Sequence, residues 1–166
     1  IQTVVRTTVN QVQNAASQAV YSANKDVTGQ YQYVATLDAR TSSICQRLDG
    51  QLFRYDQGPV PPQHFNCRST TVPVIDDDDL AKAFPNTRPS ATGRVPQDTN
   101  YATWLKDNPD LQEKVLGKKK RYFNYLMSPK RGTKQLNPTN ALKKIIREDG
   151  TELTLKELAA KYKDAN

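Results

Sequence analysis

The residues able to do chemistry crowd into one short stretch of a 166-residue chain. Between Asp38 and Arg68 the order is D-x-R-T-x-x-x-C-x-x-x-x-G, then a gap, then P-P-x-H-x-x-C-R. Cys45, His64 and Cys67 offer two thiolates and an imidazole, donors that suit tetrahedral zinc. The two cysteines are 22 positions apart, which a hairpin can close, and His64 stands three before Cys67, as on one turn. Zinc usually takes four ligands, so Asp38 or a water would complete the set. The paired C-x-x-C of strong zinc motifs is absent. A polar staple, with a histidine bonded to backbone beside two packed thiols, accounts for the same residues. A disulfide between the cysteines is also open, although two cysteines do not make a disulfide scaffold.

Enzyme chemistry has less support. His64 beside Arg40 and Arg68 gives a general base with phosphate-binding cations, the outline of a small nuclease. His64 is the one histidine, so any mechanism needing two from these residues is excluded. A Cys–His nucleophile pair lacks an identifiable orienting group. Nucleotide-binding glycine loops and the HExxH metalloprotease signature do not occur. The run Asp76 to Asp79 reads as a solvated spacer, not a converging metal site.

Charge supplies a second candidate. The formal net charge is +7. Residues 1–100 hold nine Lys/Arg against nine Asp, whereas residues 101–166 hold fifteen Lys/Arg against eight Asp/Glu. The whole excess lies in the C-terminal part, which points to an anionic partner such as nucleic acid. Lys118, Lys119, Lys120 and Arg121 are its densest cluster, followed by Tyr122, Phe123 and Tyr125. Cations mixed with aromatics occur in single-strand binders. A helix with aromatics inward and lysines outward reads the same way.

The elements that must position these residues follow from periodicity. Val5, Val9, Val12, Ala16, Ala19 and Ala23 recur every three or four residues, predicting an amphipathic helix over 3–24 that packs on its Val/Ala stripe. Residues 31–36 and 51–55 read as strands, and 41–47 as one or two helical turns capped by Thr41 or Ser42. Residues 70–75 read as an edge strand, since Pro73 cannot donate to a ladder. Prolines and few apolar residues make 85–100 a linker or surface arm. Beyond it, 101–106, 111–116 and 118–126 look helical, and 141–147 is short and apolar, either helix or strand. Thr154 and Glu157 form a capping box for a last helix. No run of 18 apolar residues occurs, so no membrane-spanning helix is expected. No leader pattern opens the chain, and its start within a helical pattern at Ile1 is expected of a fragment of a longer protein.

The run TLDARTSSICQRLDG with GPVPPQHFNCRST resembles the phage head-morphogenesis family, the Mu F-like minor head proteins. The matching positions are Asp38, Arg40, Thr41, Cys45, Gly50, Pro62, His64, Cys67 and Arg68. Arg6-Thr7 stands where members often have Arg-Thr-Glu, with Thr8 replacing the acid. Ser69 stands where many members have a second cysteine. The resemblance implies a virion protein of low copy number that associates with the portal or major capsid protein. It implies action in head assembly, DNA packaging or DNA delivery, first in the host cytoplasm and then in the head.

The expectation is an α+β fold in which a long N-terminal helix packs on a small antiparallel sheet. The expected division is a head-morphogenesis domain at 1–84, a linker at 85–100 and a basic, mostly helical region at 101–166. The alternative is a nuclease-like or toxin-like enzyme on the same fold.

Overall fold

The computed structural model describes residues 1–75, 82, 86–128 and 135–165. The four-aspartate run at 76–79 lies outside the described residues. Contacts divide the chain into two compact units, Ile1–Asp38 with Leu48–Thr99, and Ala39–Arg47 with Asn100–Asn166. The class is α+β, as expected.

The first unit opens with α1 (Gln2–Ala23) and β1 (Gln30–Val34), and continues with β2 (Leu52–Arg54) and β3 (Thr70–Val74). The strands form an antiparallel sheet in the order β2-β1-β3. Pro73 lies opposite Tyr31 on the edge strand, where its missing N–H disrupts least. Tyr31, Tyr33, Ala35 and Leu37 are buried at every second position, as the pleat requires. Residues 85–100, read from composition as a linker, contain a hairpin instead: β4 (Thr87–Ser90) pairs with β5 (Gly93–Pro96). Gly93 sits at φ 115° in its turn, a conformation that costs glycine little.

Helix α1 meets the sheet through its polar face. Asn10 Nδ2 donates to Ser69 O at 3.0 Å, Gln18 Nε2 to Thr71 Oγ1 at 3.0 Å, and Tyr21 OH to Thr71 O at 3.3 Å. Asn14, which accepts from Thr70 Oγ1 at 3.4 Å, is the buried residue of the helix. The Val stripe points the other way, with Val5, Val9 and Val12 each more than half exposed. The expected helix-on-sheet packing is therefore present with its faces exchanged. Periodicity locates both faces, but α1 meets hydroxyls and carbonyls of Ser69, Thr70 and Thr71, and amides satisfy those better than valines do.

The second unit is helical: α2 (Ser43–Leu48), α3 (Tyr101–Asp107), α4 (Pro109–Leu116), a 3₁₀ turn at Gly117–Lys119, α5 (Lys120–Met127), α6 (Pro138–Lys143) and α7 (Leu155–Lys161). Its core contains Tyr101, Trp104, Leu105, Tyr122, Phe123, Leu142, Ile145 and Leu158. Asn100 caps α3 by accepting from Thr103 N, and Asn137 caps α6 by accepting from Asn140 N. Thr154 and Glu157 form the expected capping box. Ambiguous 141–147 resolves into the end of α6 and a bridge from Ile146 to Glu152. Ser42 supplies its carbonyl to Gln46 N at 2.9 Å, while its hydroxyl is buried with no hydrogen-bond partner. No helix among the described residues is long and apolar enough to cross a membrane.

Candidate functional site

The motif residues are positioned by short, local devices. Gly50 follows α2 at φ 79°, and its N–H donates to Tyr33 O at 2.8 Å. A side chain there would be strained, which explains a glycine at this place in the motif. The Pro61–Pro62 peptide is cis, and Asn66 takes φ 57° between His64 and Cys67. The turn they form is closed by Cys67 N donating to His64 O at 3.3 Å.

Arg68 and Asp38 form a two-pronged ion pair. Arg68 Nη1 donates to Asp38 Oδ2 at 2.6 Å and Nη2 to Oδ1 at 2.8 Å. The fork matches the planar guanidinium to the carboxylate and fixes the chain after β1 to the chain before β3. Thr36 Oγ1 adds a bond to Arg68 O at 3.3 Å. Arg40 is exposed. Asp49, within the motif, pairs with Arg88, which lies outside it. Thr41 is buried, and its carbonyl accepts from Gln46 Nε2 at 2.7 Å.

The three soft donors come together. One ligand atom from each of Cys45, His64 and Cys67 lies within 4.8 Å of the others. Both cysteines are buried and neither is in a disulfide. Two thiolates on one tetrahedral zinc stand about 3.8 Å apart, given Zn–S bonds of about 2.3 Å, so a small contraction suffices. His64 Nδ1 is 2.8 Å from Phe65 O. With a proton on Nδ1 donated to that carbonyl, Nε2 carries the lone pair, the arrangement by which histidines are held for metals. Asp38, held by Arg68, is not in the cluster. The donor set fits a metal with three protein ligands, and water would be the fourth.

The basic cluster is largely satisfied internally. Lys119 Nζ lies 2.5 Å from Glu152 Oε2, and Lys120 pairs with Glu113. Arg121 donates to Tyr122 OH at 2.8 Å and stacks 4.7 Å from its ring centroid. Lys118 is exposed. Tyr122 and Phe123 are buried and face inward, and half-buried Tyr125 has its ring 6.4 Å from that of Tyr162. Four adjacent cations find more partners within the unit than their run suggests, because Glu113 stands only seven residues before Lys120, and Glu152, 33 residues after Lys119, comes near in space.

A second cationic surface in this unit is formed by Arg47, Lys143, Lys144, Arg147 and Lys161 around a pocket of about 790 Å³. Its residues are scattered over more than a hundred positions, so no run of charge announces them.

Residues 1–72 match the family described as Phage Mu protein F like protein. The matched span runs from α1 into β3 and contains every residue of the Asp38–Arg68 motif. It is the family that the motif resembles. No curated protein and no solved structure gives a significant match.

Proposed function

We propose that this chain is a minor head component of a tailed phage, bound to the portal or major capsid protein and acting in head assembly, DNA packaging or DNA delivery. The observation that carries the reading is the family match over residues 1–72, whose motif side chains make a coherent local structure. Asp38 and Arg68 lock two loop ends, Gly50 turns the chain after α2, and Cys45, His64 and Cys67 converge. These devices shape a scaffold, and the only histidine is committed to a turn, which favours an assembly role over catalysis.

In this reading the Cys45–His64–Cys67 cluster binds zinc and holds the loop that ends at Arg68. The basic C-terminal region faces packaged DNA, where contact with phosphates needs no sequence readout. The test is co-purification. Full-length protein bearing an affinity tag should bring down portal or major capsid protein from cells assembling heads. Arg68→Ala, which breaks the lock on Asp38, should reduce that recovery. Recovery of neither protein would contradict the reading.

A further inference from the structure

The pocket in the helical unit has the composition of a phosphate site. Arg47, Lys143, Lys144, Arg147 and Lys161 line it, with Glu148 as one acid among the described residues. Its two guanidiniums are fixed in place. Arg47 Nη1 donates to the carbonyls of Lys143 at 3.1 Å and Ile146 at 2.8 Å, at the C-terminal end of α6. Arg147 Nη2 donates to Glu157 Oε1 at 2.5 Å and Nη1 to Thr151 Oγ1 at 3.2 Å. The three lysines differ, since no carboxylate among the described residues lies within salt-bridge distance of Lys143, Lys144 or Lys161. Lys161 Nζ instead stands 5.7 Å from the Tyr162 ring. Such ammonium groups are spare charge, held around a concavity by two anchored arginines.

We infer that this pocket, and not the Lys118–Arg121 run, binds the phosphates of a nucleic-acid strand. The inference rests on the nucleic-acid part of the proposed function and moves the interaction to different residues. Three features favour a strand over an acidic protein face. The space, about 790 Å³, is an open concavity of a size for a nucleotide unit, whereas an acidic protein surface needs a broad flat interface. Leu136, Ile146 and Leu153 supply apolar wall for sugar or base edges. The cations come from α2, α6, the turn after it and α7, so they surround a ligand and do not merely line one helix. By comparison, Lys119 and Lys120 already have carboxylate partners.

The experiment is an anisotropy titration of the whole chain with fluorescent single-stranded DNA of about 20 nucleotides, at about 50 mM and 200 mM NaCl. The variants are Lys143→Gln/Lys144→Gln/Lys161→Gln and Lys118→Gln/Arg121→Gln, each checked for an unchanged melting temperature. The pocket variant should weaken binding at least tenfold at low salt and reduce the salt slope by about 2, since each phosphate no longer neutralised removes roughly 0.7. The Lys118/Arg121 variant should bind within about twofold of the parent, since neither residue lines the pocket. If that variant loses binding while the pocket variant keeps it, the pocket assignment is overturned and the DNA reading survives. No binding by the parent at low salt overturns both, while leaving recovery of head proteins as a separate matter. Displacement of the DNA by poly-L-glutamate at equal charge would overturn the nucleic-acid assignment and indicate an acidic protein partner.

Discussion

Arg88 and Asp49 form a buried, two-pronged ion pair 39 residues apart in sequence. Arg88 Nη2 lies 3.0 Å from Asp49 Oδ1, and Nη1 lies 3.1 Å from Oδ2, with side-chain exposures of 6% and 0%. Arg88 also donates to Ala35 O at 2.5 Å and Thr99 O at 2.9 Å, and Asp49 accepts from Ala35 N at 2.6 Å. The pair joins the end of β1, the turn after α2 and the β4–β5 hairpin. Arg88 lies beyond the family-matched span of residues 1–72, so the hairpin is locked to the matched core by a residue outside it.

Removing one partner leaves the other charge buried and unpaired. Arg88→Ala or Asp49→Ala should therefore destabilise the first unit by about 3–5 kcal/mol. The double variant Asp49→Leu/Arg88→Met should recover much of that loss, since apolar replacement of a buried pair is often close to neutral. Urea denaturation of the three variants checks this. A single variant within about 1 kcal/mol of the parent would contradict the buried-pair account.

The seating of α1 gives a second, opposite pair of expectations. Asn10→Ala or Gln18→Ala removes a hydrogen bond to the sheet and should cost about 1 kcal/mol each. Val9→Gln and Val12→Gln alter exposed positions and should change stability by less than about 0.5 kcal/mol. Larger losses for the valine variants would mean that the Val stripe, not the amide face, packs in the folded protein.

The contrast shows what is legible in the sequence. Local devices are readable because their partners are close: the Thr154–Glu157 box and the edge placement of Pro73. The motif cluster is readable because rare residue types fall in order, and Cys45, His64 and Cys67 do converge. The face that α1 buries is not readable, because an apolar stripe predicts burial only where the surface opposite is apolar. Ser69, Thr70 and Thr71 make that surface polar. The β4–β5 hairpin is hidden by Pro89 and Pro96, and its anchor, Arg88, depends on an acid far away in sequence. The basic pocket is hidden for the same reason: Arg47 reaches Lys143 and Ile146 across nearly a hundred residues.

Metal content tests the Cys45–His64–Cys67 cluster. Protein produced with zinc in the medium should retain about one equivalent by elemental analysis, and Cys67→Ser should lose it. Added zinc should raise the melting temperature of the parent and not of Cys67→Ser, since a ligand that binds only the folded state stabilises it. Folded protein without metal, unresponsive to added zinc, would return the cluster to a hydrogen-bonded staple.

The helical unit should lose stability in acid. The carboxyls of Glu113, Asp149 and Glu157 are all held below their ordinary values. The causes are, in order, the Lys120 ammonium on Glu113, the Thr151 hydroxyl and amide on Asp149, and the Thr154 amide and hydroxyl on Glu157. A depressed folded value means that the stabilisation is complete above the ordinary carboxylate range. It is lost as pH falls through the lower folded values. Trp104, the single tryptophan, is buried in this unit and reports on it. Thermal melts followed by Trp104 fluorescence should shift downward as pH falls below about 4.5, and less so in Glu157→Gln. A melting temperature unchanged down to about pH 2 would remove these carboxyls from the account.

In the proposed function the chain is built into phage heads. Quantitative mass spectrometry of purified procapsids and filled heads tests it most directly. The account predicts peptides from both the family-matched span and the helical unit, at a small fixed number of copies per head. Heads of normal composition lacking every peptide of this chain, with the protein confined to the soluble lysate, would contradict it.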